Sequence, residues 1–485
     1  MNMDRKKRIE FGDFQTPDAL AVQVCEYLKA QGLRPDVVVE PTCGVGAFVL
    51  AAAQVFSGAR EVLGLEINAA YLDTLRGKLQ ASPTLTHVRL EQADFFSADW
   101  SARTRGLTGR LLVVGNFPWV TNAALGAIGG ENLPEKSNFL GLSGFDAISG
   151  KANFDISESM LLEVLRWLAP RGGDVAMLVK TTVARKVLAH AQRLRQPVAD
   201  ARMVEIDAKK HFGASVDACL LVIRLDPTAS TSYDYTVFAS LEDRQGRKVG
   251  HRQGLIVSDL DAFESCSYLV GQSPQKWRSG IKHDASAIME FTRGAEGFVN
   301  GLGESVQLED ACLYPLMKGS DIGSDKVWRN KFVLVTQRAV GADTSPIRAL
   351  APRTWAYLEA HAGQLDARAS TIYAKNPRFS IFGVGDYAFR PWRIAICGLY
   401  KALRFRIVAP IEGRPVMFDD TVYYLSFDTQ VQALQTLADL ESEAARGLLS
   451  SLIFWDEKRP IKTSILNVLD WSKLHADMQR QAALI

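Results

Sequence analysis

The sequence predicts an α/β fold built on a largely parallel sheet in its first half, followed by a second domain of mixed α+β character. Three observations carry this. Short apolar runs alternate with helical patterns between about residues 35 and 225. A Gly-x-Gly turn follows directly on the first of those runs and opens a helix. Beyond the turn-rich stretch LDPTASTSYD at 225–234 the alternation gives way to irregular short strands and helices without a repeat. That stretch is the expected boundary, dividing the chain into 1–228 and 229–485.

The strands expected in order are Val37–Glu40, Glu61–Glu66, His87–Glu91, Leu111–Asn116, Asp174–Lys180, Met203–Ile206 and Ala218–Arg224. Helical patterns at Ala47–Phe56, Ala69–Leu79 and Glu158–Leu168 lie between them, as right-handed crossovers between parallel strands require. The last two strands are joined through HFGASVD, short enough for an antiparallel hairpin. From Val120 to Phe154 the rhythm breaks. Glycines at 126, 129, 130, 141, 144 and 150 and the lack of a period read as a long functional loop.

Composition bounds the function. With a net charge of +2, any nucleic-acid surface has to be local. The six cysteines form no CxxC pair, and the histidines show no HxH or HExxH pattern, so neither a disulfide framework nor a metal site is expected. The N-terminus lacks the apolar stretch of a secretory signal, and no run of 18 apolar residues occurs. The expectation is a cytoplasmic protein without a membrane span.

The segment Val37–Phe48, VVVEPTCGVGAF, places Glu40 at a strand end and Gly44 and Gly46 in the turn behind it. A lone Gly-x-Gly is often only a tight turn. Here Glu66 ends the next strand, where a carboxylate can accept both ribose hydroxyls, and Asp94 follows the third, where it can meet an adenine amino group. Acids at successive strand ends share the carboxyl edge at which open α/β sheets bind ligands. A third glycine at the dinucleotide spacing is missing, and Glu40 would repel a pyrophosphate. It suits a cofactor with a sulfonium and an ammonium, which favours S-adenosylmethionine over a nicotinamide dinucleotide.

Asn116-Phe117-Pro118-Trp119 closes the fourth strand. An Asn carbonyl and a neighbouring backbone carbonyl can accept the two hydrogens of an aromatic amine and free its lone pair. Pro118 biases Phe117 toward an extended backbone, and Trp119 offers a ring for stacking. An ordinary Pro turn after a strand would look the same.

Taken together, these motifs resemble the amino-methylating DNA methyltransferases of the adenine-N6 type, in the gamma order of cofactor, catalysis and target recognition, as in type II restriction–modification systems. The resemblance covers roughly the first 225 residues. Phe14-Gln15-Thr16-Pro17 is similar to the N-terminal motif whose Thr-Pro backbone meets the methionine carboxylate. Glu40-Pro41-Thr42-Cys43-Gly44-Val45-Gly46 resembles the family's cofactor loop, and Glu66 and Asp94 fall where the family binds ribose and adenine, with Phe95 beside the adenine ring. Asn116–Trp119 resembles the Asn-Pro-Pro-aromatic motif, although its second position is Phe117. Asp155 opens the helix that follows. Phe212, after the sixth strand, resembles the second aromatic that, with Trp119, sandwiches a flipped base; the sixth strand is expected beside the fourth.

The resemblance implies a Rossmann-like class I methyltransferase domain, a seven-stranded mixed sheet with its last strand antiparallel, and a C-terminal target-recognition domain. It implies methylation of adenine N6 in double-stranded DNA, with S-adenosylmethionine as cofactor and a separately encoded restriction endonuclease as a companion. Cytosine-N4 methylation uses the same chemistry and stays open, though its motif more often begins with Ser. RNA adenine-N6 methylation stays open because of Phe117, though a large C-terminal part suits DNA better. Cytosine-C5 methylation needs a Pro-Cys nucleophile, which the chain lacks. Cys43 reads as a small buried residue of the turn.

In the C-terminal half, eight basic residues and one acid lie between Arg368 and Arg406, interleaved with aromatics. That pattern suits phosphate contact and base stacking, with Arg378, Arg390, Arg393 and Arg404 as the candidate DNA contacts. A solvated basic face over an ordinary core is the alternative. Trp277–His283 and Lys458–Lys462 are further basic loops.

Overall fold

The computed structural model describes residues 15–81, 87–119, 155–295 and 297–482. The chain divides into two compact units, residues 1–256 and 257–485.

In the first unit, β1 (Val37–Glu40), β2 (Glu61–Glu66), β3 (Val88–Gln92), β4 (Leu111–Asn116) and β5 (Gly173–Lys180) run parallel, and β6 (Val198–Ile206) and β7 (Ala218–Leu225) follow. The helices are α1 (Asp18–Ala30), α2 (Ala47–Val55), α3 (Ala69–Gln80), α4 (Trp100–Arg105), α5 (Ile156–Leu168), α6 (Thr181–Arg193) and α7 (Ala208–Phe212). The core strand order is 3-2-1-4-5-7-6, with β7 antiparallel to both of its neighbours. This is the mixed sheet of a class I methyltransferase. The 6–7 hairpin falls where the short HFGASVD connection puts it. The sixth strand is separated from the fourth by β5 and β7, correcting the expectation that they are neighbours.

The sheet has ten strands rather than seven. β8 (Tyr235–Phe238) pairs parallel with β6, and β9 (Arg247–Arg252) and β10 (Leu255–Val257) extend the edge. The boundary expected at 228/229 therefore lies inside the first unit. Pro227 and the polar stretch after it form a turn between two strands of one sheet and not a linker. Tyr235 and Val249, both buried, were the signal that it continues.

Alternation along the strands explains the layering. Val38, Val62, Leu112, Val114, Ala176 and Leu178 join one core with α1, α2 and α3. The residues between them, Leu63, Leu111, Val113, Val175 and Met177, are equally buried, so the strands are covered on both faces. In β1, β2 and β4 the interiors are apolar throughout, and the polar residues stand at the strand ends.

The second unit holds two sheets. One has the order β11 (Arg278–Ser279), β20 (Val422–Phe427), β17 (Trp392–Cys397), β18 (Arg406–Val408). The other runs β14 (Ser305–Val306), β13 (Gly297–Asn300), β12 (Glu290–Gly294), β16 (Lys331–Leu334), β15 (Leu313–Met317), β19 (Met417–Phe418). The longer helices of this α+β unit are Pro352–Ala360, Gln430–Leu440, Glu443–Leu452 and Trp471–Ala482.

Candidate active site

Because β1, β2, β4 and β5 are parallel, Glu40, Glu66, Asn116 and Lys180 end at the same edge of the sheet. The turn after β1 is glycine-dependent at two points. Gly44 and Gly46 have φ of +51° and +90°, and a Cβ on Gly46 would stand 2.1 Å from a Leu75 methyl. Gly46 caps α2, so α3 packs directly over the head of that helix. Glu66 braces the turn: its two carboxylate oxygens accept the backbone N–H groups of Gly44 and Asn68, each at 2.9 Å. Gln15 reaches the same turn, its Oε1 accepting Val45 N–H at 3.3 Å. The Thr16-Pro17 element is thus anchored beside the turn. The Pro17 carbonyl accepts the first N–H groups of α1, from Leu20 and Ala21. Phe14 lies outside the described residues.

Glu40 is 3% exposed, and its Oε2 has no hydrogen-bond partner among the described residues; the same holds for Thr42 Oγ1 in the turn. Burial, with the Glu66 carboxylate adding, pushes the Glu40 carboxyl well above its ordinary range, against one backbone hydrogen bond from Val49. A buried acid with an unsatisfied oxygen, beside a turn with no room for a side chain at Gly46, fits a cationic ligand lying along the strand ends. Burial, then Glu40 and Glu66, raises the Cys43 thiol, which stays protonated; its N–H bonds to Leu65 O at 2.8 Å. Cys43 is a packing residue, as its small size suggests.

Asp94 follows β3, half-buried, with Oδ1 accepting Phe96 N–H at 3.1 Å. Phe95, expected beside the adenine ring of the cofactor, follows Asp94 directly. It is 5% exposed and packs against Trp100 and Phe117, with centroids at 5.1 and 5.6 Å. Among the described residues, Ile67 (39% exposed), directly after Glu66, and Phe96 (42%), two residues after Asp94, are apolar groups left open at this edge. Sequence reasoning missed both. Each follows an acid that ends or trails a strand, and an apolar residue beside such an acid was the available signal.

Asn116 sits half-buried at the end of β4. Gly115 before it has no side chain, and a Cβ there would meet Glu40 Cγ at 3.3 Å, so the ends of β4 and β1 lie against each other. Phe117 is buried, and Pro118 is half-buried. Trp119 is 6% exposed, with Nε1–H donating to Leu178 O at 3.3 Å. Its ring meets that of Phe212, at the end of α7, edge-on with centroids 5.0 Å apart. The two aromatics named as a sandwich are therefore brought together across the two intervening strands, but in direct contact.

Lys180, unforeseen from the sequence, ties this corner down. Its ammonium donates to Trp119 O at 3.2 Å and to Asp155 Oδ2 at 2.7 Å. Asp155 is the N-cap of α5, accepting from Ser157 N and Oγ. The glycine-rich stretch between Gly126 and Gly150 lies outside the described residues.

In the second unit the four arginines named from the sequence part ways. Arg393 lies on β17 and is fully buried, donating to Ala388 O at 2.8 Å, with its guanidinium 5.4 Å from the Tyr424 ring; burial lowers its pKa to about 10. It is a core residue and not a surface contact, since alternate positions of a central strand point inward whatever they carry. Arg378 is exposed but paired with Asp366 at 2.7 Å. Arg390 faces Asp428 at 3.7 Å. Arg404 is exposed and forms no ion pair among the described residues.

A class I sheet with an acid-lined glycine turn at its carboxyl edge, abutting an Asn-x-Pro-aromatic strand end, defines an S-adenosylmethionine-dependent methyltransferase. The chain is similar to the type II methyltransferase M.NspV of Nostoc sp. (strain ATCC 29411 / PCC 7524), with 47% identity over 467 residues, covering 96% of this chain and 97% of the relative. It therefore belongs to the type II methyltransferases, the DNA methyltransferases of restriction–modification type. Among solved structures, the type IIL restriction–modification enzyme MmeI, determined in complex with DNA, shares the fold. Its TM-score is 0.53 at 12% identity, covering 96% of this chain and 65% of that one. No family model matches the chain. No helix among the described residues is long and apolar enough to cross a membrane.

Proposed function

We propose that the chain methylates N6 of adenine at one sequence in duplex DNA, with residues 257–485 recognising the target and a separately encoded endonuclease as its companion. The observation that carries this reading is the junction of Gly115-Asn116 with Glu40 at the carboxyl edge, which sets an amide carbonyl next to the cofactor turn. S-adenosylmethionine, when bound, supplies the methyl group as a sulfonium. Glu40, Gly44, Gly46 and Thr16-Pro17 would hold its methionine end, Glu66 its ribose, and Asp94 its adenine amino group, with Ile67 and Phe96 against the ring. Asn116 and the Phe117 carbonyl accept the two hydrogens of the target amine, which localises the nitrogen lone pair toward the donor. Trp119 and Phe212 hold the base once it has left the duplex stack. Asn rather than Ser at the head of the motif favours adenine over cytosine N4. Six free, buried cysteines suit a reducing cytoplasm, where the DNA substrate is.

Methylation-sensitive sequencing of DNA from cells expressing the chain tests this. N6-methyladenine at one motif, absent with Asn116→Ala, is the expected result. N4-methylcytosine at that motif, or no DNA modification, would overturn it.

A further inference from the structure

We propose that Arg278 and Arg338 read guanine in the target duplex, each through paired hydrogen bonds to the O6/N7 edge in the major groove. The proposal rests on the reading of the second unit as the one that recognises DNA.

The geometry starts from a short 3₁₀ turn, Asp386–Phe389, which carries two half-buried rings. Arg278, on β11, lies over Tyr387 with its guanidinium carbon 5.0 Å from the ring centroid. Arg338, beyond the end of β16, lies over Phe389 at 3.9 Å. The rings are themselves backed, Tyr387 by Tyr424 at 6.2 Å and Phe389 edge-on by Tyr314 at 5.6 Å. Two exposed cations from separate parts of the chain are thus laid on a platform made by one turn.

What sets these two apart is how their N–H groups are used. The other arginines stacked on rings in this unit are already committed. Arg293, over Phe332, is paired with Glu412, and Arg378, over Phe379, with Asp366. Arg368, over Tyr373, donates to three carbonyls; Arg414, over Tyr314, donates to two. Arg459, over Tyr423, donates to Asp420 O, and Arg393 is buried. Arg278 and Arg338 form no side-chain hydrogen bond or ion pair among the described residues. A ring beneath a guanidinium removes torsional freedom and covers one face, but leaves the in-plane donor fork open. A phosphate contact needs only a cation, which a flexible lysine supplies. A fork held in a fixed plane suits the two adjacent acceptors of guanine.

The test uses the full chain and begins with the methylated motif mapped in DNA from expressing cells. The expected wild-type motif contains guanine. Arg278→Ala and Arg338→Ala should each relax it at one guanine position, lowering discrimination by roughly tenfold or more. Arg338→Lys keeps the charge and loses the fork, so it should relax the same position; it carries the test if the alanine variant does not fold. A duplex with 7-deazaguanine at that position should weaken wild-type binding and leave Arg338→Ala unaffected.

A motif without guanine would overturn the proposal. So would variants that keep the wild-type motif, whether silent or merely showing a flatter salt dependence, the mark of a phosphate contact. Wild-type protein that methylates no DNA would remove the DNA reading itself, a result separate from a mapped motif that the arginines do not influence.

Discussion

The two units put their polar side chains to use in different places. In the first, Glu40, Glu66 and Asn116 stand at the ends of strands whose interiors are wholly apolar, and the parallel sheet aims them at one edge. In the second, a residue as polar as Arg393 occupies the interior of β17, while Arg378, fifteen positions earlier in the chain, is exposed and held by Asp366. A strand end has a direction fixed by local backbone, so its side chain can be placed from nearby sequence. An arginine of the second unit is held by whichever ring or carboxylate arrives from elsewhere. Polar side chains are therefore gathered by topology in one unit and by long-range pairing in the other.

Substitutions can break or sharpen that contrast. The largest effect is expected from Asn116→Ala, which should lower methyl transfer at least about a hundredfold, as for the loss of one aligned polar group in an active site. Calorimetry should show cofactor affinity nearly unchanged, because the proposed role of Asn116 is toward the target amine. Next comes Glu66→Ala. Loss of charge-assisted bonds should weaken cofactor binding by about 1.5–3 kcal/mol, read as a rise in Kd. A smaller effect is expected from Lys180→Met, which frees the Trp119 carbonyl and leaves the nearly buried Asp155 without its cation. It should cost roughly tenfold in kcat with little change in cofactor Kd, and Lys180→Arg should recover part of it.

Glu40 adds a pH dependence whose sign follows from its raised pKa. The free protein is stabilised by the neutral carboxyl at low pH. That contribution is lost as pH climbs from the ordinary value of 4.5 through the raised folded value. A cationic cofactor favours the charged form, so its affinity should rise with pH over the same window. Glu40→Gln should flatten both the melting curve and the binding curve against pH; an unchanged binding profile would mean that Glu40 does not face the cofactor's charge. The smallest effects belong to the second unit. Arg393→Ala should lower the melting temperature by several degrees, since it empties a core site and strands the Ala388 carbonyl, whereas Arg378→Ala should leave it unchanged.

The sheet and the cofactor edge were legible because short continuous apolar runs and glycine turns are local signals. The strand at Val37–Glu40 falls where the pattern puts it, and the helix cap at Asp155 where the family resemblance puts it. Three things were not local. The edge strands beyond Leu225 follow a polar turn that resembles a linker, and only their pairing onto β6 reveals them. Phe95 and Phe96 are adjacent aromatics whose exposure is decided by Trp100 and Phe117. Lys180 looked like the polar end of a strand. Its bond to Trp119 spans 61 residues of sequence, and nothing in its neighbourhood announces it.

The edge-on contact between Trp119 and Phe212 has a consequence for competition. A planar guest gripped on both faces needs about 7 Å between the rings, two van der Waals contacts deep, and the pair stands at 5.0 Å. There is no ready slot for a base; a guest has to prise the rings apart and give up their mutual contact. A free nucleobase or nucleotide brings only its own faces to that exchange. A base still attached to a bound duplex brings the free energy of the whole protein–DNA interface. If the pair holds the target base as proposed, its closed contact would be a threshold for abundant small nucleotides, which should then compete poorly for the pocket even at concentrations far above that of the target site.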